Sequence, residues 1–388
     1  MRQMFRYYLS QKIYICNRYY IKKVNNLKIG FFMIENQVKK NKDEIIILGA
    51  GPAGLSAAIN LAKQGRKVKV YEKNNDCGMR FRGDFQGFEN WTSETDVLEE
   101  IKSMNLEIDF WYNPICQAEF YDYLRNKRVI NFEKPGLYLI KRGMTSDSLD
   151  ISLKKQALKS GVDIIFNHRI SENEADIIAG GPKRVDGIVR GITFETKTEY
   201  NPVMILDDNL APKSFAYLLI NDGKGCLGTG LTKNYTHADK YLDITIDTFQ
   251  KLLNIDIKNP KRYTGYGNFF IKNNYFENKK FYVGEAAGLQ DYLFAFGLRQ
   301  ALTSGYLAAK SILEKKNYDK LVKEILVPKL KISLTNRFFF RLLGNKGYHR
   351  FLKRGIKIKD PLGRMNKIYD VSFLQKVLFP IARVALRK

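Results

Sequence analysis

The stretch from Ile45 to Glu72 constrains the fold more than any other part of this sequence. It opens with an aliphatic run of four residues, continues as Gly49-Ala-Gly-Pro-Ala-Gly54, and passes through eight mostly small or aliphatic residues before ending as Val68-Lys-Val-Tyr-Glu72. A buried strand, a glycine turn, a small-residue helix and a second strand in this order predict a βαβ unit whose first turn binds a dinucleotide. The alternative is a glycine-rich turn that binds nothing, and the strands on both sides disfavour it.

Each glycine of this turn has its own predicted part. Gly49 permits the tight turn, Gly51 lets a pyrophosphate approach the backbone, and Gly54 lets the helix pack closely on the sheet. Pro52 and Ala53 belong to the same predicted cofactor site. The N-terminus of the helix offers free N–H groups and the positive end of its dipole to the phosphates.

The acid that ends the second strand narrows the choice of dinucleotide. Glu72 can accept hydrogen bonds from an adenosine ribose, and its charge disfavours a 2′-phosphate, so FAD or NAD fits better than NADP. Lys73 follows it and is a further candidate for cofactor binding. The next loop holds three glycines and two arginines within residues 77–87. Arg80 or Arg82 could pair with the pyrophosphate, and the alternative for each is a surface position.

Length and cysteine content set further limits. The 388 residues can bury a large core and form two interleaved domains. No uninterrupted apolar run approaches the ~18 residues of a membrane-spanning helix. The cysteines, which lie far apart, argue against a zinc site or a disulfide framework and indicate a reducing cytosol; they are Cys16, Cys77, Cys116 and Cys226. We therefore predict no metal and a cytoplasmic protein, with the inner face of the membrane as a peripheral location.

The net charge of +25 is concentrated at the two ends of the chain. Residues 1–42 hold 10 Lys/Arg and 1 acid, and residues 313–388 hold 20 Lys/Arg and 5 acids, which leaves a net charge of +1 for the residues between them. Basic ends fit anionic lipid or nucleic acid, and the alternative is a solvated basic surface. We predict that Met33 is the true start and that residues 1–32 are a translation artefact; a basic amphipathic anchor is the alternative.

A second glycine-bearing stretch follows more than two hundred residues after the first. It reads Val283-Gly-Glu-Ala-Ala-Gly288, and Phe296-Gly297-Leu298 then leads into a small-residue helix. Small residues allow a bulky planar cofactor to lie against the backbone. The helix N-terminus near Gly297 could stabilise negative charge on a reduced ring.

The remaining pattern predicts how the domains alternate. A helix over 146–160 and a strand over 162–166 resume the first sheet, and alternating residues over 190–250 predict an antiparallel sheet. We predict an α/β (α+β) fold with a Rossmann-like FAD-binding domain made of residues 43–76, 140–190 and 275–312. The predicted substrate domain takes residues 77–139 and 191–274, and residues 313–388 form a basic helical segment.

Together these blocks resemble the para-hydroxybenzoate-hydroxylase-type flavoprotein superfamily, most closely its geranylgeranyl reductase branch, over about residues 43–312. The resemblance implies FAD as the cofactor and places Arg142 near its phosphates. Residues 284–288 are similar to the family's Gly-Asp-Ala-Ala-Gly, whose acid holds the ribityl chain. The cofactor residues implied here are Gly284, Glu285, Ala286, Gly288, Phe296, Gly297 and Leu298.

Four departures from the family pattern bear on the chemistry. Glu285 replaces the usual Asp; glutamate is the longer acid and can still hold the ribityl chain. Residues 179–182 lack the acid of the family's Ala-Asp-Gly, which argues against NADPH-driven hydroxylation. Gly83 stands where the reductase branch often has a cysteine. The Tyr-x-Trp-x-Phe-Pro substrate motif is replaced by residues 216–220, Ala-Tyr-Leu-Leu-Ile.

The resemblance implies an FAD-dependent oxidoreductase that reduces double bonds of a hydrophobic, isoprenoid or lipid-linked substrate. The electron donor would be NAD(P)H or a reduced carrier such as ferredoxin. No catalytic side chain is assigned; Tyr217 and Cys77 are candidate proton donors, with structural roles as the alternative. A flavin monooxygenase of the same fold, or an electron-transfer flavoprotein tethered to a membrane, are the rival functions.

The C-terminal segment alternates basic and apolar clusters over residues 336–343 and 371–388. Apolar faces with basic flanks suit an interfacial helix on anionic lipid. The same spacing suits helices packed on the flavin domain. Nucleic acid is disfavoured, because no helix-turn-helix, zinc or RNA-binding signature accompanies the basic residues.

Overall fold

The computed structural model describes residues 43–355, 359–370 and 373–386. The basic extension of residues 1–42, with Met33, lies outside the described residues. The helices that the structure describes are α1 (Pro52–Ala62), α2 (Val97–Ser103), α3 (Leu149–Lys159), α4 (Ala238–Leu253), α5 (Leu298–Glu314), α6 (Tyr318–Ile325), α7 (Val327–Gly355), α8 (Pro361–Ile368) and α9 (Phe373–Ala385).

The strands fall into three sheets. They are β1 (Glu44–Leu48), β2 (Lys67–Tyr71), β3 (Phe85–Glu89), β4 (Tyr112–Ile115), β5 (Gln117–Asp122), β6 (Lys127–Asn131), β7 (Leu137–Lys141), β8 (Asp163–Ile165), β9 (Ile177–Ile178), β10 (Gly187–Glu195), β11 (Val203–Leu206), β12 (Ala216–Asn221), β13 (Lys224–Leu231), β14 (Lys258–Gly267), β15 (Phe276–Glu277) and β16 (Lys280–Tyr282).

The six-stranded sheet has the order β15-β16-β9-β1-β2-β8 and is parallel except for its β15–β16 edge. Ile46 and Ile47 of β1 are fully buried, as expected for a strand in a parallel sheet that is covered on both faces. Helix α1 connects β1 to β2 and packs against α3 and α5. The predicted βαβ unit and the Rossmann-like fold are therefore confirmed.

The seven-stranded sheet, with the order β14-β10-β13-β12-β11-β5-β6, is antiparallel except between β11 and β5. Alternate residues of its strands, such as Ile192, Leu218 and Leu227, form a core with Leu242 and Phe249 of α4. Their neighbours along each strand point to the other face of the sheet because side chains alternate along a strand. A smaller sheet, ordered β3-β7-β4, completes the set.

The C-terminal helices pack against the body of the protein. Tyr348 and Leu352 of α7 form a core with Leu206 of the seven-stranded sheet. Tyr369, just after α8, packs with Trp91 in another core. Of the two predictions for the C-terminal segment, these residues follow the one in which its helices pack on the protein. No helix among the described residues combines the length and the apolar content needed to cross a bilayer.

Two helix starts differ from the predicted ones. Helix α3 begins at Leu149 because the Ser148 side chain accepts a hydrogen bond from the Ile151 N–H and caps the helix. Helix α5 begins at Leu298, directly after Gly297, and so earlier than the apolar pattern indicated. Strand β7 crosses the predicted boundary between the substrate domain, which ends at residue 139, and the FAD-binding domain. The division into domains stays a prediction.

We expect Tyr348→Ala to lower the free energy of unfolding by about 3–5 kcal/mol, the cost of truncating a large buried aromatic residue. The control is Phe351→Ala, three residues further along α7, because Phe351 is 53% exposed whereas Tyr348 is 0% exposed. Urea unfolding followed by circular dichroism measures both. Equal losses for the two variants would contradict the observed docking of α7.

Candidate functional site

The first glycine turn closes tightly between β1 and α1. Gly49 has a φ of +102°, which favours glycine, and its N–H donates to the carbonyl oxygen of Tyr71 at 2.8 Å. A Cβ at Gly49 would lie 2.5 Å from the carbonyl oxygen of Ala179. The turn is thus pressed against the neighbouring strand end, and no other residue type fits at this position.

Gly51 and Gly54 differ in what surrounds them. A Cβ at Gly54 would collide with the carbonyl oxygen of Gly49, whereas a Cβ at Gly51 would meet no atom within 4 Å. Gly51 precedes Pro52 at the start of α1, and the first-turn amides of Ala53 and Gly54 have no partner within the helix. The turn therefore leaves open space beside unpaired amides, as an anion requires.

Glu72 lies directly beside this turn. Its buried carboxylate accepts hydrogen bonds from the N–H of Ala50 at 3.0 Å and from the N–H of Asn74 at 3.0 Å. These contacts hold the acid at the carboxyl end of β2, where a ribose would lie. Lys73 is exposed.

The second glycine turn touches the first. Gly284 has a φ of +56° and donates its N–H to Oγ of Ser304 at 2.9 Å. A Cβ at Gly284 would lie 2.8 Å from Cβ of Ala53. Ala286 is buried and Gly288 has a φ of +73°, where a Cβ would collide with the carbonyl oxygen of Phe270. Two predicted halves of a cofactor site therefore meet in space.

The loop that follows Glu72 reaches the second turn through Arg80. Nη1 of Arg80 lies 2.5 Å from Oε2 of Glu285, and Nη2 donates to the carbonyl oxygen of Tyr266. Two residues predicted separately are thus paired. The Arg82 side chain is exposed, while its N–H donates to Asp84 at 3.0 Å.

Arg142, which the resemblance places near the cofactor phosphates, is buried among polar partners. Its buried guanidinium makes two hydrogen bonds of 2.9 Å to the carboxylate of Asp150 and one of 2.6 Å to Oε1 of Gln86. The ring of Phe81 lies 4.0 Å from it. The ion pair with Asp150 connects this arginine to α3, and its part in cofactor binding stays a prediction.

Phe296, Gly297 and Leu298 form the entry to α5. Phe296 packs on Trp91 with ring centroids 5.2 Å apart, Gly297 caps α5, and Leu298 is buried. The amides of the first turn of α5 have no partner within the helix. The dipole of α5 therefore points at the space in front of Gly297, as predicted for a site that stabilises negative charge.

A buried acid that the sequence did not single out shapes this entry loop. Oδ1 of Asp291 accepts from the N–H groups of Leu293 and Phe294, and Oδ2 accepts from the hydroxyl of Tyr369 at 2.8 Å. Burial raises the pKa of the Asp291 carboxyl, and these hydrogen bonds oppose the rise. The C-terminal segment thus supports the loop before α5, through a contact with no local sequence signal.

A pair of tyrosines faces away from α4 on the seven-stranded sheet. Four residues lie side by side on β12, β13, β10 and β14: Tyr217, Gly228, Gly191 and Tyr263. The tyrosine hydroxyls meet at 2.9 Å over the two glycines. A Cβ at Gly191 would lie 2.6 Å from the ring of Tyr263, so the glycines make room for the rings.

The part-buried hydroxyl pair belongs to a polar cluster. Sγ of Cys226 lies 3.7 Å from the carbonyl oxygen of Phe85, next to Asp84. Burial raises the pKa of Tyr217, Tyr263, Cys226 and Asp84 above their ordinary values. The two hydroxyls therefore stay protonated throughout the neutral range.

Cys77, the other candidate proton donor, lies elsewhere. It is buried in the loop after Glu72, and burial raises its thiol pKa, with Asp76 and Glu72 adding to the rise. A buried thiol that stays protonated among carboxylates fits the structural alternative.

The described ranges contain no group of three or more His, Cys, Asp or Glu side chains arranged to hold a metal ion. An open cleft of about 460 Å³ lies beside Asn113, Glu119 and Tyr200. Neither glycine turn borders this cleft, so we do not assign the site to it.

Comparison with known proteins agrees with this geometry. Residues 47–87 match the family model of the NAD(P)-binding Rossmann-like domain. A curated thiamine thiazole synthase of Sulfolobus acidocaldarius is 33% identical over 93 residues, which cover 23% of this chain and 35% of that protein. The chain thus spans about a third of the length of this relative.

Solved structures match over most of the chain. A geranylgeranyl bacteriochlorophyll reductase-like protein of Thermoplasma acidophilum aligns with a TM-score of 0.67 at 18% identity, covering 89% of this chain and 98% of that one. A flavin-dependent brominase aligns with a TM-score of 0.59 at 15% identity, covering 89% and 98%. The chain therefore has the fold of these flavoproteins, as the resemblance predicted.

We expect Gly54→Ala to destabilise the protein by about 1–3 kcal/mol, the usual cost of overpacking, because its Cβ would press on the backbone of Gly49. Gly51→Ala has open space and should change stability by less than about 0.5 kcal/mol. Thermal unfolding followed by circular dichroism compares the two. A Gly51→Ala variant that is as destabilised as Gly54→Ala would contradict the open cradle.

Proposed function

We propose that this protein is an FAD-dependent oxidoreductase that reduces a double bond of a hydrophobic substrate. The observation that carries the proposal is the contact between the two glycine turns, with Gly284 against Ala53. A molecule long enough to use both the first turn and the start of α5 is a flavin dinucleotide. The fold shared with flavoproteins supports the same choice.

The residues present fit FAD. Glu72 would take the adenosine ribose, and the open side of Gly51 with the first amides of α1 would take the pyrophosphate. Arg80, which is paired with Glu285 at 2.5 Å, would hold the phosphates by exchanging that partner. Glu285 would then be available to the ribityl chain.

The amide end of α5, in front of Gly297, would face the flavin ring. FAD supplies hydride transfer, while the protein binds, orients and tunes it. The positive end of the α5 dipole would stabilise negative charge on the reduced cofactor. NAD(P)H or a reduced carrier such as ferredoxin remains our proposal for the electron donor.

An aromatic wall indicates the class of substrate. Ring contacts of 5.2–6.4 Å run without a break through Trp91, Phe296, Phe294, Phe215 and Tyr217. They connect the loop before α5 with the face of the seven-stranded sheet that carries the tyrosine pair. A substrate that contacted these aromatic side chains would be one without charge, such as an isoprenoid or lipid-linked chain.

The tyrosine pair would supply the proton. Addition of H₂ across a carbon–carbon double bond needs one hydride at one carbon and one proton at the other. The hydroxyls of Tyr217 and Tyr263 share a hydrogen bond of 2.9 Å, and burial keeps both protonated. One hydroxyl would give its proton to the substrate carbon and regain it from its neighbour, and the pair would finally be reprotonated from solvent.

We expect Gly51→Val and Glu285→Ala each to weaken FAD binding at least about tenfold, or 1.4 kcal/mol. Valine would occupy the open space at Gly51, and the second change removes the acid at the other turn. Fluorescence titration with FAD measures both variants. The control is Glu277→Ala, an acid on the edge strand β15 that is paired with Lys272. Unchanged affinity in both site variants would refute the proposed cofactor site.

We expect Tyr217→Phe and Tyr263→Phe to slow substrate reduction by about 10²-fold, the lower range for loss of a general acid. Flavin reduction by the donor should be unchanged. Anaerobic stopped-flow reoxidation by a panel of polyprenyl alcohols and quinones separates the two half-reactions. The matched control is Tyr241→Phe on α4, which packs on the opposite face of the sheet.

The pH dependence of the reoxidation rate distinguishes proton donation by the tyrosines from a purely structural role. Because burial raises the pKa of both tyrosines, the wild-type reoxidation rate should not fall as the pH approaches 10, the ordinary tyrosine value. The wild type should also show a solvent isotope effect that is lost in the variants. Equal rates in wild type and both variants would exclude the pair. Oxygen consumption coupled to substrate turnover would favour a monooxygenase instead.

A further inference from the structure

Large apolar side chains are exposed on the two longest C-terminal helices. Of the nineteen large hydrophobic side chains that the described residues expose, seven lie between residues 339 and 384. They are Phe339, Leu342, Leu343, Phe351, Val377, Ile381 and Val384, with exposures from 39% to 77%. Soluble surfaces rarely gather apolar residues in this way without a partner.

On α9 these residues form a single stripe. Val377, Ile381 and Val384 are spaced by four and three residues, which places them on one face of a helix. The opposite side docks on the protein, since Ala382 is fully buried and the Phe379 ring lies 5.3 Å from Nζ of Lys331. Helix α9 is thus held on one side and presents an apolar stripe on the other.

Helix α7 repeats this arrangement before its bend at Gly344. Leu342 and Leu343 lie three and four residues after Phe339, which places them on one face of the helix, and all three are exposed. Phe340, between them, faces inward and stacks on Tyr348 with ring centroids 4.9 Å apart. The apolar residues of α7 are therefore divided between the core and an outward face.

Basic side chains surround both stripes. Between residues 339 and 384 the sequence has eleven Lys/Arg and two acids. The exposed basic residues on α7 and α9 are Arg341, Lys346, Arg350, Lys353, Arg354, Lys376 and Arg383. An exposed apolar stripe with cations along its sides is the pattern of a helix that lies in the plane of a membrane interface.

We propose that the outward faces of α7 and α9 dock this protein on the surface of an anionic lipid bilayer. The apolar stripes would enter the boundary between headgroups and acyl chains, and the basic residues would contact the lipid phosphates. A second copy of the chain would bring like charges together, and nucleic acid would leave the apolar stripes in water. The other face of α7 contacts Phe120 and Met204 on the tyrosine-bearing face of the seven-stranded sheet.

The test uses the full chain and sedimentation with vesicles of phosphatidylcholine, with or without phosphatidylglycerol. We expect binding only to vesicles that contain phosphatidylglycerol, and release of the protein at high salt. The triple variant Leu342→Ser, Ile381→Ser, Val384→Ser should bind at least about tenfold less. The control is Leu158→Ser on α3, where Leu158 is 48% exposed.

Two further measurements separate the outcomes. Circular dichroism and FAD content should be unchanged in the triple variant, so that lost vesicle binding does not reflect lost folding or a failed cofactor site. Equal binding to both kinds of vesicle, binding unaffected by the substitutions, or no binding at all would overturn the proposal. So would an oligomer, seen by sedimentation velocity, that the same substitutions dissociate.

Discussion

The close packing of α1 on α5 is the contact on which the rest of the site depends. A Cβ at Gly305 would collide with the carbonyl oxygen of Ala53, and Oγ of Ser56 donates to the carbonyl oxygen of Leu302 at 2.8 Å. Only small residues allow two helices to approach so closely. This approach places Gly284 against Ala53, so that turns more than two hundred residues apart border a single space.

Other elements of the fold support this space from three sides. The loop after Glu72 crosses to the second turn through Arg80 and is held from behind by the ion pair of Arg142 with Asp150. The C-terminal segment holds the entry to α5 through the hydrogen bond of Tyr369 to Asp291. The seven-stranded sheet contributes the tyrosine pair.

Local sequence patterns predicted the parts of the structure that local interactions determine. The βαβ unit could be predicted because its glycines, its helix and its acid lie within 28 residues, from Ile45 to Glu72. The pairing of Tyr217 with Tyr263 could not, because it requires the register of four strands. The pairing of Arg142 with Asp150 could not be predicted either, since nothing in the family motif indicates that Asp150 binds it. In the C-terminal segment, the spacing of the apolar residues fitted both packed helices and interfacial helices. Sequence could not decide between them, because α7 has one apolar face buried and another exposed.

We claim that one dinucleotide uses both turns, and competition between FAD and FMN is the direct measurement. FMN lacks the adenosine and the second phosphate, so it cannot use Glu72 or the full length of the first turn. We predict that the purified protein binds one FAD per chain and that FMN competes at least about a hundredfold more weakly, a difference of roughly 2.7 kcal/mol. Equal affinity for the two flavins, or no binding of either in excess, would contradict the claim.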